Sequence, residues 1–449
     1  MSTEMKIGVL IQPYGNHPAA WLVADAADGA ENDIRHYIDV ARIAESGALD
    51  FVFFADVPAI RNGNVDAISK WPLYANQFEP VTLLAALAST TSRIGLAATV
   101  STSFYEPYNL ARQFASIDHL SSGRAGWNVV TTSQAAAALN FGSDARAGHA
   151  ARYERAKEFI EVVKGLWDSW DDDAFVYDRD TSTFFDPEKL HRLDHVGKHF
   201  SVRGPLNIAR PPQGYPVIIQ AGGSEAGKAL AAETAELVFS SESDLGRAQR
   251  FYADLKGRLG AFGRSRDDLK IVSALNPIVG RTRSEAEDKL AQLQAKLHPD
   301  VGREILAIDL DNIDLSDLSV DSPLPLERIP PSTEGGKSYL EYIRAMAEGG
   351  TLTLRTLYER YSVARGGKFI IGTAEDVADL MQEWFESDAC DGFMLGMSSL
   401  PAGMHDFVEL VIPELRRRGL FRAGYNGRTL REHLGISRPG VHRQQRSRV

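Results

Sequence analysis

The sequence predicts an α/β fold in which eight parallel strands close a (β/α)8 barrel with insertions. Short, continuously apolar segments that favour strands alternate along the chain with longer amphipathic segments that favour helices. Continuous apolar strands are typical of a parallel sheet that is covered on both faces. The 449 residues are enough for one large barrel or for two domains. A doubly wound sheet is the alternative fold, but its GxGxxG signal is absent after the first strand.

The strands and helices follow one another in the order that a barrel requires. Runs of β-branched and other apolar residues predict the eight main strands at 6–13, 50–56, 94–101, 124–131, 216–221, 237–242, 271–279 and 391–398. Apolar residues at helical spacing predict helices at 32–47, 80–90, 107–120, 151–170, 224–235, 244–262, 284–297, 374–387 and 403–418. Ser284 and Glu287 have the spacing of a capping box at the start of one of these helices.

Two segments interrupt the alternation, and we interpret them as insertions into a single domain spanning residues 1–437. The first, at about 171–215, is rich in Asp, Pro and aromatic residues and includes a predicted hairpin near GKHFSVRGPLNI. The second, at about 299–367, contains an acidic, proline-rich stretch that predicts an extended loop, followed by helices at 337–348 and 351–361. Residues 438–449 are basic without apolar periodicity, which predicts a flexible tail.

Composition excludes several classes of function. The formal net charge of −11 argues against nucleic acid as a partner, because phosphate binding requires a basic face. Cys390 is the single cysteine, so neither an internal disulfide nor a cysteine metal cluster is possible, and we expect a core residue. His191 and His195 lie in an insertion without helical periodicity, so we predict no metal site. The N-terminal apolar stretch is too short to span a membrane, which predicts a cytoplasmic protein.

In a barrel of this type, chemistry concentrates where the strands end and the following loops begin. The residues at these predicted positions are mostly hydroxyl and amide side chains, and they include Asp56, Thr99, Asn128 and, after the first strand, His17. The rim lacks the paired carboxylates of a glycosidase or a metal hydrolase. It also lacks the GxSxG sequence of an esterase.

Two segments predict binding of a phosphate or another anion. IIQAGGSEAGKALAAETA is a strand, a glycine turn and a helix, in which Gly222 and Gly223 expose backbone N–H groups and Ser224 can cap the helix. GHAARYERAKEF places His149 and Tyr153 four residues apart at a helix start, hence on one face. The alternatives are an ordinary helix cap for the first segment, and capping with core packing for the second.

These residues occur in segments that resemble the flavin-dependent monooxygenases of the luciferase-like superfamily. The resemblance extends over nearly the whole chain and is closest to the nitrilotriacetate, EDTA and dibenzothiophene-sulfone monooxygenase group, which includes a long-chain alkane monooxygenase. The segments that carry it include LDFVFFAD, STSFYEPYNLARQFASIDHLSSGRAGWNVVTT, HAARYERAKEFIEVVKGLW, GKHFSVRGPLN, PVIIQAGGSEAGKALAAETAELVFS, IGTAEDVADLMQEWFE, DGFMLGMS and FVELVIPELRRRGLFR.

The resemblance implies a TIM-type barrel that binds reduced FMN supplied by a separate NAD(P)H:flavin reductase. A flavin hydroperoxide formed with O2 would transfer one oxygen atom to a small organic substrate and release water. Asn128 would lie beside the isoalloxazine ring, and the glycine turn at Gly223 would lie at the phosphate. The positions that match FMN-holding residues of the family are Asp56, Thr99, His149, Tyr153 and Ser224. We also expect a homodimer or homotetramer.

The predicted substrate side of the site departs from the family pattern. Leu22 follows Trp21 where the family commonly has Arg, and the loop after NVVT lacks the histidine that some members carry. The insertion at 299–367 contains no histidine at all. His17 is the remaining candidate for a hydrogen bond to the hydroperoxide; the alternative is a loop histidine that bonds backbone. The expected apolar walls are Trp21, Phe54, Phe104 and Trp127.

Three other functions remain open at this level. A deazaflavin-dependent hydride-transfer enzyme of the same superfamily would share the fold. A non-catalytic flavin-binding protein would explain the absent loop histidines. A barrel enzyme unrelated to flavin, such as a sugar-processing lyase, is disfavoured by the lack of paired rim carboxylates. Sulfones, aminopolycarboxylates, alkanes and amines are all compatible substrates.

Overall fold

The computed structural model describes residues 4–23, 25–60, 63–72, 75–132, 134–142, 148–332 and 337–441. Eight parallel strands form the barrel: β1 (Lys6–Leu10), β2 (Phe51–Phe54), β3 (Gly95–Ser101), β4 (Ala125–Val130), β5 (Val217–Ala221), β6 (Leu237–Ser240), β7 (Lys270–Val279) and β8 (Gly392–Gly396). Each strand pairs with the next one along the chain, and β8 pairs with β1 to close the ring. The predicted (β/α)8 barrel is therefore confirmed.

Helices follow most strands and form the outer layer. The α-helices of the described chain are Ile34–Ser46, Val65–Ile68, Pro80–Ala88, Pro107–Leu120, Ala135–Asn140, His149–Trp167, Glu225–Thr234, Leu245–Arg258, Arg283–Ala295, Pro299–Asp309, Lys337–Glu348, Leu354–Ala364, Ala374–Glu386, Ala402–Asp406, Ile412–Arg417 and Leu430–Leu434. A π-helical turn, Phe407–Val411, joins two of them into the continuous helical segment that was predicted at 403–418.

The start of the helix Arg283–Ala295 differs from the prediction. Thr282 is the N-cap, and its side chain accepts a hydrogen bond from the Glu285 amide at 3.2 Å. The Glu285 carboxylate in turn accepts from the Arg281 amide at 2.9 Å. The predicted capping box of Ser284 and Glu287 is therefore wrong. The chain leaves β7 at Val279 and Thr282 keeps extended backbone angles, so the helix begins before Ser284.

Alternation along β4 directs neighbouring side chains to opposite sides of the barrel wall. Trp127 is fully buried on the outer side, where its ring centroid lies 5.8–6.4 Å from those of Phe114, Phe159 and Trp167. Its indole N–H donates to the Val100 carbonyl at 3.1 Å. Trp127 is therefore part of the barrel–helix packing, and the expectation that it forms a wall of the site is wrong.

The end of the barrel opposite the strand C-termini is filled by the last helix. Leu430 and Leu434 belong to the same buried apolar cluster as the barrel residues Phe51 and Val217. A Cβ on Gly95 of β3 would lie only 2.5 Å from Leu430 Cδ1. This floor of the barrel is therefore made by residues that follow β8 in the chain.

The second insertion forms its own apolar core. The helices Pro299–Asp309, Lys337–Glu348 and Leu354–Ala364 pack together around buried side chains such as Ile305 and Leu357. The first of these helices was not predicted, because the acidic, proline-rich sequence beside it obscured its apolar periodicity. The segment then returns to the barrel as a strand, Lys368–Gly372, which pairs in parallel with the second half of β7.

The remaining segments lie around this frame. The first insertion contains two short hairpins rather than the one predicted, made of Phe175–Asp178 with Thr183–Phe185 and of His195–Val196 with Ser201–Val202.

Cys390 is buried, as predicted. The described chain contains no helix with the length and apolar character needed to cross a membrane. Within the same ranges, no three His, Cys, Asp or Glu side chains come together to form a metal site.

The start of the predicted C-terminal tail contacts the first insertion. The Arg438 guanidinium forms an ion pair with Asp172 at 2.6 Å. Arg210 donates to the Pro439 carbonyl at 2.9 Å. The first residues of the predicted flexible tail therefore have partners in the first insertion. Residues 442–449 lie outside the described part of the chain, so the prediction of flexibility stays a prediction there.

Candidate functional site

Thr99 and Asn128 lie side by side at the C-terminal mouth of the barrel. The register of β3 and β4 pairs them directly, and Asn128 Nδ2 donates to Thr99 Oγ1 at 2.8 Å. Both side chains are buried. The amide oxygen of Asn128 is also buried, and it has no hydrogen-bond partner within the structure. An unpaired buried acceptor costs about 1–3 kcal/mol, which a ligand N–H or O–H group at this position would offset.

The turn after β5 has the predicted form of an anion site. Ser224 caps the helix Glu225–Thr234, and its Oγ accepts a hydrogen bond from the Gly227 amide at 3.1 Å. A Cβ on Gly223 would meet no atom within 4 Å, so the turn is open on this side. The remaining N–H groups and the helix dipole at this end favour a negative charge.

Tyr153 reaches the same turn from the helix His149–Trp167. Its hydroxyl oxygen lies 3.2 Å from the position of a Cβ on Gly227 and 3.6 Å from that of a Cβ on Gly222. The two predicted anion segments therefore converge in space. The helix begins at His149, but the side chain of His149 lies outside the described residues, and its role stays a prediction. We call the region formed by Thr99, Asn128, Tyr153 and the turn 222–224 the phosphate half of the mouth.

A small acidic cluster adjoins the mouth after β2 and β3. Burial, followed by repulsion from Glu79, raises the pKa of Asp56 to about 6. Burial, followed by the charges of Glu79 and Asp56, raises the pKa of the Tyr105 hydroxyl to about 12. Glu79 caps the helix Pro80–Ala88 through the Val81 and Thr82 amides at 3.0 and 2.8 Å. Glu79 and Tyr105 were not among the predicted residues. Glu79 could have been found from the sequence, because an acidic residue directly before a proline is typical of a helix start.

The other half of the mouth, after β1, β6, β7 and β8, contains a cavity of about 260 Å³. Asn16 Nδ2 donates to Asn276 Oδ1 at 3.3 Å, and Asn276 Nδ2 donates to the Lys368 carbonyl at 3.2 Å. A Cβ on Gly396 would lie 2.2 Å from the Asn16 amide nitrogen and 2.3 Å from the Asn276 amide oxygen. Glycine is therefore required beneath this amide pair. We call this region, together with the part of the second insertion that lines it, the cavity half.

His17 lines the cavity and is almost completely buried. Its Nδ1 accepts a hydrogen bond from the Ala19 amide at 3.2 Å, so the proton of the neutral ring is on Nε2. Burial lowers the pKa of the imidazole to about 4, which keeps the ring neutral at pH 7. Nε2 is buried without a partner in the described structure. His17 is therefore a hydrogen-bond donor and not a base at this nitrogen.

The aromatic walls of the site differ from those expected. Phe54 faces outward, with its ring centroid 6.1 Å from that of Tyr37 on the helix Ile34–Ser46. Trp21 is 38% exposed and donates its indole N–H to a backbone carbonyl. Phe104 stacks on Phe141 with ring centroids 4.7 Å apart. The cavity is lined by Trp71 and Tyr339, which sequence reasoning missed because they lie in loops and insertions that reach the mouth only in the folded chain.

Comparison with known proteins gives a consistent result. Residues 5–391 match the model of the family described as luciferase-like monooxygenase. N-acetyl-S-(2-succino)cysteine monooxygenase of Bacillus subtilis (strain 168) is 46% identical over 436 residues, which is 97% of each chain. Nitrilotriacetate monooxygenase component A of Aminobacter aminovorans is 45% identical over 442 residues, again 97% of each chain.

A solved structure of riboflavin lyase, with modified FMN and the substrate riboflavin, has a TM-score of 0.85. It is 31% identical in sequence, and the alignment covers 96% of each chain. The barrel fold and the sequence matches thus point to the same family, and the matches cover almost the whole chain. The chain therefore belongs to the luciferase-like monooxygenase family and is, in kind, a flavin-dependent monooxygenase.

Proposed function

We propose that this chain is the oxygenase of a two-component system. It takes reduced FMN from a separate NAD(P)H:flavin reductase and uses O2 to oxygenate a small organic substrate. The observation that carries the proposal is the convergence of Tyr153, the Ser224-capped helix and the Thr99–Asn128 pair in one barrel mouth. The name "component A" of the nitrilotriacetate relative and the FMN in the riboflavin lyase structure support it.

The residues of the phosphate half fit FMN. The phosphate would lie at the turn 222–224, where Ser224, the backbone amides, Tyr153 and, by resemblance, His149 would hold it. Glu225 in the first helical turn is an acidic neighbour, but Lys228 and Arg258 pair with it at 2.5 and 2.8 Å and offset its charge.

The flavin ring would occupy the centre of the mouth, where the Asn128 oxygen, which has no partner in the structure, could accept a hydrogen bond from a ring N–H. Asp56 offers a second acceptor at the same rim. These positions would orient the ring between the two halves of the mouth.

When bound, the reduced flavin supplies the two electrons with which one atom of O2 enters the substrate and the other leaves as water. The chain itself binds, orients and excludes solvent. Thr99 holds the Asn128 amide so that its oxygen faces the ring. His17 is neutral with its proton on Nε2, which supports its predicted role as a hydrogen-bond donor in the site.

The test is turnover under 18O2 with FMN, NADH and a purified flavin reductase, over a panel of carboxylate, sulfone, alkane and amine substrates. We expect one 18O atom per molecule of product and dependence on reduced FMN. Hydrogen peroxide without any labelled product would favour the non-catalytic flavin-binding alternative. Tighter binding of a reduced deazaflavin than of reduced FMN would favour the hydride-transfer alternative.

A further inference from the structure

We propose that the cavity half binds a carboxylate group of an anionic organic substrate, with Arg365 as the charged anchor and the Nε2–H of His17 as the second donor. The inference rests on the proposed function for the reaction, but binding of the acid can be tested separately from turnover.

Arg365 brings a permanent positive charge to the cavity. Arg365 is the C-cap of the helix Leu354–Ala364. Its left-handed backbone angles, φ 45° and ψ 50°, end the helix. Arg365 is one of the residues that line the cavity, and its side chain is only 23% exposed. Burial acts to lower the pKa of the guanidinium, but Asp309, Tyr361 and Tyr339 together raise it, so the group stays charged.

Asp309 positions the guanidinium. Nη2 of Arg365 lies 2.7 and 2.6 Å from the two carboxylate oxygens, and Nε lies 3.2 Å from one of them. The Tyr361 hydroxyl donates to the same carboxylate at 2.7 Å. The fork of Nε and Nη2 is thus used by Asp309, while Nη1 takes no part in the ion pair. Arg365 is among the cavity-lining residues and Asp309 is not, so the cationic member of the pair is the one nearer the cavity.

The rest of the lining favours the same ligand chemistry. Among the described residues that line the cavity there is no Asp or Glu. The amides of Asn16 and Asn276 are bonded to each other and to backbone. The buried Nε2–H of His17 is a donor without an acceptor. A carboxylate would accept from His17 and from the Nη1 group of Arg365 with a negative charge, whereas a sulfone offers only neutral acceptors and an alkane offers none.

This assignment gives His17 a role towards the substrate instead of towards oxygen. The cavity lies across the barrel mouth from the turn 222–224, so the substrate and the flavin phosphate would enter separate halves. Both groups are anionic, and this separation keeps their charges apart while their reacting ends meet at the centre.

The first test uses the wild-type protein and isothermal titration calorimetry, with and without FMN. The ligands are nitrilotriacetate and N-acetyl-S-(2-succino)cysteine, each beside its full methyl ester, and dibenzothiophene sulfone. We expect at least one acid to bind, and to bind at least ten-fold more tightly than its ester. Equal or tighter binding of the ester, tighter binding of the sulfone, or no binding of either acid would overturn the inference.

The second test uses variants. Arg365→Gln alone leaves the Asp309 carboxylate without its cationic partner, so we combine it with Asp309→Asn in a double variant that removes both charges together. We expect its affinity for the acid to fall at least ten-fold, with unchanged affinity for the ester and for FMN. Arg360→Gln, an exposed position in the same helix, is the matched control and should change neither. Unchanged acid affinity in the double variant would overturn the role of Arg365.

The results separate this inference from the proposed function. Binding of FMN with oxygenation of only neutral substrates would leave the proposed function intact and remove the carboxylate site. Binding of the acids without any flavin-dependent oxygenation would support the carboxylate site and contradict the proposed function.

Discussion

The two halves of the barrel mouth differ in how the chain builds them. The phosphate half uses neighbours: Ser224 caps its own helix, and Thr99 pairs with Asn128 on the adjacent strand. The cavity half joins distant parts of the chain, as in the bond between Asn16 and Asn276, which are 260 positions apart. The proposed cofactor site is thus built largely from short segments, whereas the proposed substrate site depends on the insertion and on tertiary packing. Substitutions in one half of the mouth can therefore test whether the two halves act independently.

The largest effect is expected from a negative charge in the phosphate half. Gly223→Asp should raise the Kd for FMN about 100-fold, since unit charges about 6 Å apart at an effective dielectric constant of about 20 repel by roughly 3 kcal/mol. The Kd for riboflavin, which has no phosphate, should change little. Fluorescence titration of both flavins measures the difference.

The control is Gly223→Ala, which adds a methyl group where no atom lies within 4 Å. It should bind both flavins as the wild type does. Equal weakening of FMN and riboflavin by Gly223→Asp would show that the phosphate is not held at this turn.

In the cavity half, Gly396→Ala should lower the free energy of unfolding by about 1–3 kcal/mol, because the new methyl group overlaps the Asn16–Asn276 pair. Urea denaturation measures this change. Gly403→Ala is the control, because its nearest neighbour would be 3.6 Å away and its stability should not fall. If Gly396→Ala weakens FMN and leaves acid binding unchanged, the division between the halves is wrong.

A smaller effect is expected at the centre of the mouth. Thr99→Val removes the acceptor for Asn128 Nδ2 and should raise the Kd for FMN about ten-fold, in line with a lost hydrogen bond of about 1.5 kcal/mol. Thr99→Ser keeps the hydroxyl and should restore most of the affinity. Equal affinity in the Val variant would mean that the Asn128 amide is held by its strand alone.

The smallest effect is a pH dependence from Asp56, whose pKa is about 6. If the ionised carboxylate accepts a hydrogen bond from the flavin, binding favours ionisation, so affinity is full above pH 6 and falls below it. Riboflavin is the probe, because its lack of a phosphate removes a second titration. Its Kd should rise about four-fold from pH 7 to pH 5.5, as the ionised fraction falls. Asp56→Asn should have a flat profile, and an unchanged profile in that variant would contradict the assignment.

Sequence reasoning recovered the parts that depend on local pattern. All eight barrel strands, the Ser224 cap and the two separate anion segments follow from periodicity and helix-start chemistry, whereas only the family resemblance joined the two segments into one site. Trp127 was misassigned because alternation along β4 sends it outward while its neighbour Asn128 faces the mouth. Arg365 and Trp71 carried no signal, since their place in the cavity depends on how the second insertion and a loop fold over the barrel. The side chain of His149 lies outside the described residues, so its predicted role still awaits the flavin titrations.

The floor of the barrel has a consequence for biosynthesis. Leu430 and Leu434 are translated after every barrel strand, yet they pack against residues of the second and fifth strands. Until the ribosome has released them, Phe51 and Val217 have no cover at that end. Such late, long-range closure slows folding and leaves apolar surface exposed until the last helix is made.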